Sequence, residues 1–179
     1  MLTIKVPEIE LYDSLRGEFV YIRKQTLCLE HSLVSISKWE SKWCKPFLGK
    51  DKKTNEEILH YVKCMTTTQN VDEEVYKHLT DDNIKKVRDY INAPMTATTI
   101  MQPNKGSNRE IVTTELIYYW MIALNIPWEC QKWHLNRLFA LINVCNVKNS
   151  PQKKMGKHEL ASRNAQLNAS RRASLNTEG

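Results

Sequence analysis

The chain has 179 residues, only five glycines and a formal net charge of +6, a length that suits one folded domain with an appendage. The scarcity of glycine and the absence of GxGxxG and GxxxxGK motifs exclude the common phosphate-binding loops. The longest apolar run, 116–124, has nine residues, whereas a membrane-spanning helix needs roughly 20. Because the N-terminus also lacks a signal-peptide core, we expect a cytoplasmic protein without membrane association.

The positive charge is concentrated near the C-terminus. Residues 150–179 contain six Lys and Arg against two Glu, which is +4 of the formal +6. Because this segment is rich in Ser, Asn and Gln and poor in large apolar residues, we expect a basic, loosely ordered tail with a helix around 157–170. The rest of the chain is almost neutral, so nucleic acid is not the expected partner.

Residues 1–31 are richer in β-branched and aromatic residues than the segment that follows. Three short β-rich groups stand out, at 3–6, 19–22 and 25–29. The residues at 13–17 have the composition of a turn. This pattern predicts a small antiparallel β unit. A unit of this size is not stable alone, so we expect it to pack on the helices of a core domain, 32–149.

A repeated Ser-Lys-Trp triplet follows the start of helical periodicity near residue 32. Its spacing of four residues, about one helical turn, places Trp39 and Trp43 on one face. Lys38 and Lys42 share an adjoining face. Single-stranded nucleic-acid binders use such an aromatic platform with phosphate-binding lysines. Aromatic stripes at this spacing are more often packed in a core, and this is the interpretation that we favour.

Capping residues predict three further helices. Their starts are marked by the pairs Thr54/Glu57 and Asn70/Glu73 and by Thr80. The acidic residues in the first turns of these helices complement the helix dipole, so they do not indicate paired catalytic carboxylates. The stretch 93–106 has no periodicity and is predicted to be a long loop. Within it, 96–101 remains open as an extended strand.

Two apolar segments near the C-terminal end predict a helical hairpin over 107–147. Ser107 and Glu110 have the spacing of a capping box, so the first helix is expected to begin there. Asn125 is expected to end it, and Pro127 to begin the second helix after a connection of two or three residues. The predicted fold is mainly α with a small N-terminal antiparallel β unit, a helical bundle built around this C-terminal helical hairpin.

Few residue patterns in the chain indicate a catalytic or metal-binding site. Two Cys/His pairs have helical spacing, His60 with Cys64 and Cys130 with His134. Zinc ligands usually lie in loops, and nothing in the sequence brings the two pairs together, so we expect no metal site. The five cysteines include no CxxC and no catalytic-cysteine signature, which is typical of reduced thiols. We therefore expect neither enzymatic activity nor a cofactor.

Five segments carry a resemblance to a known family. They are LEHSL at 29–33, SKWESKW at 37–43 with KPFL at 45–48, ELIYYW at 115–120, ECQKWHLNRL at 129–138 and RRASLNTEG at 171–179. In these segments the chain resembles proteins that are encoded among the tail genes of long-tailed bacteriophages and are described as tail assembly chaperones. The resemblance covers most of the chain.

The resemblance implies a mostly helical protein that coats the tape-measure protein and brings major tail-tube subunits to it. Such a protein leaves as the tube polymerises, so it would act in the host bacterial cytoplasm and be absent from the mature virion. Self-association is a further expectation. A long helical tape-measure chain exposes apolar stripes before the tube encloses it, and such surfaces aggregate.

The family supplies no catalytic motif, so the expected partner-binding residues are aromatic or basic positions on the helices and the tail. They are Lys38, Trp39, Lys42, Trp43, Tyr119, Trp133, Arg171 and Arg172. Two other functions remain open at this point. The first is a structural component of the phage tail or connector, and the second is a nucleic-acid-binding module that uses the basic tail.

Overall fold

The computed structural model describes residues 1–13, 17–98, 111–150 and 156–175. The chain is mainly α-helical with a small antiparallel β unit at the N-terminus, which confirms the predicted fold class. It divides into two compact units, 1–146 and 147–179. In the described part of the chain, no helix combines the length and the apolar character that a membrane span requires.

The elements follow one another in a simple order. They are β1 (Leu2–Val6), β2 (Ile9–Asp13), β3 (Glu18–Ile22), β4 (Gln25–Leu29), α1 (Leu33–Trp43), α2 (Asn55–Met65), α3 (Glu73–Lys77), α4 (Asp81–Asn92), α5 (Thr114–Ala123), a 3-10 helix (Trp128–Lys132), α6 (Leu135–Asn149) and α7 (Lys157–Leu175). Only α7, which includes the helix predicted around 157–170, lies wholly in the second unit.

The four strands form two antiparallel pairs that follow one another along a single ribbon. β1 pairs with β4 from Leu2 opposite Leu29 onwards, and β2 pairs with β3 from Ile9 opposite Ile22 onwards. The register is the same in both pairs, so the ribbon continues across a break at 7–8 and 23–24. Strand β2 was not predicted, although Ile9 to Asp13 has the alternating apolar and polar pattern of a strand.

The base of the ribbon contributes to the hydrophobic core. Ile4 and Val6 of β1 are buried together with Leu27 and Leu29 of β4, because alternate residues of paired strands point to the same face. Asn83 of α4 donates a hydrogen bond from Nδ2 to the carbonyl of the β1 residue Lys5 over 3.2 Å. The base of the ribbon is therefore held by both side-chain packing and a hydrogen bond to a helix.

Helix starts before residue 93 follow local capping chemistry. Thr54 and Glu57 form the predicted reciprocal capping box of α2, and the Thr80 hydroxyl accepts the Asn83 amide at the start of α4, as predicted. The predicted helix cap at Asn70 is wrong. Asp72 caps α3 instead, by accepting the Glu74 amide over 3.0 Å, while Asn70 has a positive φ of 55°.

Both helices of the predicted hairpin are present, as α5 and α6, but each begins at a later residue than predicted. Ser107 and Glu110 lie outside the described residues, and 111–113 are not helical, so the helix over 116–124 does not extend back to the predicted start at 107. α5 begins at Thr114, where the Glu40 carboxylate from α1 accepts hydrogen bonds from the Thr114 backbone amide and hydroxyl. Asn125 follows the end of the helix with a positive φ of 52°, as predicted.

The connection between α5 and α6 is longer than predicted. Pro127 precedes a 3-10 helix rather than an α-helix, and α6 begins only at Leu135. The Leu135 amide donates a hydrogen bond to the carbonyl of His31 over 2.8 Å, and His134 forms an isolated β-bridge with Ser32. These contacts with the start of α1 fix where α6 begins. Residues 96–98 are not in a strand, and 99–101 lie outside the described part.

The Glu40 carboxylate on α1 joins three parts of the first unit. One oxygen accepts the Phe47 amide over 2.7 Å, and the other accepts the Thr114 amide over 2.9 Å and the Thr114 hydroxyl over 2.6 Å. Glu40 is buried, so these donors replace the water that a carboxylate would otherwise require. Thr113, at the N-cap of α5, makes no capping hydrogen bond, and Glu40 supplies that acceptor from another helix.

We expect Glu40→Gln to lower the free energy of unfolding by about 3 kcal/mol, because the new amide group faces donors instead of accepting from them. In a chain of this size this corresponds to a decrease in Tm of roughly 6–12 °C. Thermal denaturation followed by circular dichroism measures the change. Glu56→Gln, at an exposed position of α2, is the control. Equal Tm values for the two variants would contradict this role of Glu40.

A buried histidine pair connects α1 with α6. The rings of His31 and His134 lie 5.0 Å apart, edge to face, and the His31 Nδ1 lies 2.5 Å from the Tyr61 hydroxyl. His134 donates from Nε2 to the carbonyl of Tyr90 and accepts the Asn136 amide at Nδ1. Burial, and to a lesser extent the neighbouring His134, lowers the pKa of His31 to about 4. Burial also lowers the pKa of His134.

The depressed pKa of His31 predicts a loss of stability in acid. An unfolded histidine titrates near pH 6.5, so the folded state is fully favoured above that pH and loses stability as the pH falls from 6.5 towards 4. For His31 alone the loss is about 3 kcal/mol. Urea denaturation at a series of pH values measures it. We expect His31→Gln to flatten the pH dependence in this window and His78→Gln, outside the pair, to leave it unchanged.

Candidate partner-binding surfaces

The repeated Ser-Lys-Trp triplet does not form an aromatic platform. Trp39 is only 1% exposed, its Nε1 donates to the carbonyl of Glu57 over 2.9 Å, and its ring packs edge to face on Phe47. The prediction that Trp39 binds a partner is therefore wrong, because its ring is buried between α1 and α2. This burial agrees with the core interpretation that the spacing of the aromatic residues favoured.

The other three predicted contact residues of the repeated triplet remain accessible to different degrees. Trp43 is half-buried and donates from Nε1 to the Nδ1 of His60 over 3.2 Å. Lys38 and Lys42 are exposed, and the Lys42 amine lies 5.6 Å from the centre of the Trp43 ring. This surface presents two cations and one aromatic edge, without a stacked pair of exposed rings.

The two predicted Cys/His pairs have different surroundings. The Cys64 sulfur lies 3.6 Å from His60 Nδ1, so this pair is in contact. Both ring nitrogens of His134 are occupied by backbone groups, and Cys130 is buried. Among the residues that the structure describes, no three His, Cys, Asp or Glu side chains are grouped to hold a metal ion.

The remaining predicted contact residues belong to different elements of the chain. Tyr119 is exposed on α5 and Trp133 is half-buried after the 3-10 helix, with the Arg137 guanidinium 4.2 Å from the centre of its ring. Arg171 and Arg172 are exposed on α7 in the second unit. Among the predicted contact residues of the first unit, Tyr119 belongs to an exposed apolar surface.

That surface, here called the α5 patch, consists of Tyr119, Ile122 and Trp128. Their exposed fractions are 63%, 60% and 54%. The half-buried Tyr118 joins them, because its ring centre lies 5.7 Å from that of Trp128 and it is one turn from Ile122. The opposite side of α5 is packed in the core through Ile117 and Met121. The α5 patch is thus the solvent-facing side of a helix that is apolar on all sides.

Sequence reasoning identified Tyr119 but missed Ile122 and Trp128. The signal was present in the apolar run 116–124, because a helix that is apolar all round needs neighbours on every side. In the described part of the chain the core covers only one side of α5. The outer side, with Tyr119 and Ile122, is exposed.

Two further apolar surfaces occur in the first unit. An open groove of about 460 Å³ lies between α2 and α4 and is here called the α2–α4 groove. At the ribbon, Tyr12 and Phe19 are exposed and their ring centres lie 5.1 Å apart, with exposed Tyr21 on the neighbouring position of the same face. The described part of the first unit therefore carries three exposed apolar surfaces.

Comparison with known proteins gives no match: no protein-family model, curated protein or solved structure matches the chain. The surfaces described above are therefore the structural features that bear on function. Their common property is apolar area without a covering element among the described residues.

We expect Trp39→Ala to destabilise the protein by about 3–5 kcal/mol, the usual cost of removing a large buried aromatic side chain. Lys38→Ala combined with Lys42→Ala should change the free energy of unfolding by less than about 1 kcal/mol, because both lysines are exposed. Chemical denaturation compares the two variants. Similar losses in both would mean that the triplet is not divided into a core face and a solvated face.

Proposed function

We propose that the protein is a phage tail assembly chaperone that binds the tape-measure protein, keeps it soluble and helps to recruit major tail-tube subunits. The observation that carries the proposal is the α5 patch, on which Tyr119, Ile122 and Trp128 are all more than half exposed. Contiguous exposed apolar residues of this size are typical of surfaces that bind other proteins. The resemblance in segments that include 115–120 and 129–138 supports the same function.

The chemistry of the α5 patch suits an apolar helical partner. Tyrosine and tryptophan provide large contact areas with few rotatable bonds and are enriched where binding energy is concentrated. Many weakly bound copies along one long tape-measure chain would gain avidity without tight individual contacts. Release during tube polymerisation then requires only that each contact be weak. The proposed site of action is the host cytoplasm, and the protein is not proposed to remain in the finished particle.

A nucleic-acid-binding function has less support from the described residues. The stacking platform that it requires is missing, because Trp39 is buried. Lys38, Lys42 and the arginines of α7 remain as exposed cations, which could give only salt-dependent contacts with phosphates.

Co-expression with the tape-measure protein of the same gene cluster tests the proposal. We expect the tape-measure protein to be soluble and to co-purify with the wild-type chain. The double variant Tyr119→Ser with Ile122→Ser should bind it about 10-fold or more weakly, because two central apolar contacts are lost. Quantitative pull-down from the soluble fraction measures the difference.

The matched control is Lys85→Ser with Asp89→Ser, which introduces two serines into the exposed face of α4 without changing the net charge. Both double variants should have circular dichroism spectra like that of the wild type. If the tape-measure protein stays insoluble with the wild-type chain, and the chain is found in purified particles, the chaperone proposal is wrong and a structural role in the virion replaces it.

A further inference from the structure

The α2–α4 groove is lined by matching rows of apolar side chains from its two helices. α2 contributes Ile58, Leu59 and Val62, and α4 contributes Ile84, Val87 and Ile91. Val62 and Val87 form the buried floor, whereas Ile58 is 39% exposed at the rim. The floor and the walls of the groove are therefore mainly apolar, and the groove is accessible from solvent.

The spacing of these rows fits a helix better than a compact ligand. On α4 the lining positions include 84, 87, 88 and 91, which is the i, i+3, i+4, i+7 pattern of one helical face. On α2 they include 55, 58, 59 and 62, the same pattern. Each row extends about 10 Å along its helix. Two such faces side by side form the kind of groove in which an amphipathic helix is bound.

The rim of the groove carries two cations. Arg88 is exposed, and none of the ion pairs between described residues includes it. The Lys53 amine donates to the carbonyl of Phe47 over 2.7 Å and lies 4.6 Å from the centre of the Phe47 ring, with no carboxylate partner in the described part of the chain. Glu57, the buried carboxylate of α2, is already paired with Lys45. The electrostatic preference at the rim is therefore for negative charge.

We propose that the α2–α4 groove binds an amphipathic helix of a partner protein whose apolar stripe is flanked by Asp or Glu. The stripe would occupy the apolar rows, and the carboxylates would contact Arg88 and Lys53. The chain's own tail does not fit this description, because 150–179 contains six basic and only two acidic residues. Like charges at the rim would oppose its binding.

The assignment of this helix to the tape-measure protein rests on the proposed function, whereas the preference for an acidic amphipathic helix does not. The groove would then hold the apolar stripe of the partner through two turns. The α5 patch would remain available for another segment or for tail-tube subunits.

Fluorescein-labelled synthetic peptides test the groove directly. One peptide of about 18 residues carries Leu at i, i+3, i+4 and i+7 positions flanked by Glu, and its match carries Lys in place of Glu. Fluorescence anisotropy with the full-length protein at low salt measures the two affinities. We expect the Glu peptide to bind about 10-fold more tightly than the Lys peptide, since opposite charges at the rim attract and like charges repel.

Three variants of the full-length chain identify the binding site. Ile58→Asp should weaken the binding of the Glu peptide about 10-fold or more, because a charge then lies on the apolar row. Arg88→Glu should reduce or reverse the preference between the two peptides. Lys85→Glu is the matched control, because it introduces the same change of charge at an exposed α4 position outside the groove. Circular dichroism and Tm measurements show that each variant is folded.

Several results would overturn the inference. The first is equal affinity of the wild type for the two peptides, and the second is binding of the Glu peptide by Ile58→Asp as tight as by the wild type. The third is a loss of preference for the Glu peptide in Lys85→Glu that is as large as the loss in Arg88→Glu. Higher peptide affinity after Leu160→Asp with Leu167→Asp in α7 would identify the tail as the occupant. A dimer in sedimentation equilibrium that dissociates in Ile58→Asp would identify a second copy.

The same variants separate this inference from the proposed function. If the Glu peptide binds the groove but the wild-type chain does not keep the tape-measure protein soluble, the proposed function is wrong and the groove assignment stands. If Ile58→Asp and Arg88→Glu keep the tape-measure protein as soluble as the wild type does, its helix does not occupy the groove.

Discussion

The first unit depends on the buried carboxylate of Glu40. A carboxylate in a protein interior is stable only when hydrogen-bond donors replace its water, and here the donors come from Phe47 and Thr114. The turn after α1 and the first residue of α5 are therefore fixed relative to α1. Since α5 is held at its N-terminus and through its inner side, its outer side with Tyr119 and Ile122 is presented on a rigid support. A rigid apolar surface loses less conformational entropy when it binds a partner.

Local sequence predicted those features whose causes are local. The caps at Thr54 and Thr80 and the break after α5 at Asn125 depend on residues within a few positions, and they were predicted correctly. The start of α5 was not predicted correctly, because the group that accepts the Thr114 amide is a carboxylate 74 residues earlier in the chain. The start of α6 depends in the same way on the carbonyl of His31, which no periodicity reveals.

The binding surfaces were predictable only in part, and for a related reason. Helical spacing placed Trp39 on a packed face, but sequence alone could not tell which of two neighbouring tryptophans the core would enclose completely. The α2–α4 groove was not predicted at all. Ile58 and Ile84 look like ordinary core positions of two amphipathic helices, and only the arrangement of those helices shows that the space between them is unfilled.

The break in the β ribbon has a consequence for behaviour at high concentration. Both strands of a two-stranded ribbon are edges, and a long uninterrupted edge is a template on which strands of other molecules can add. Here the pairing stops after five residues, at 7–8 and 23–24, and Pro7 contributes no amide donor at that point. Because each edge is short and interrupted, the ribbon exposes Tyr12 and Phe19 while offering little template for fibre-like growth.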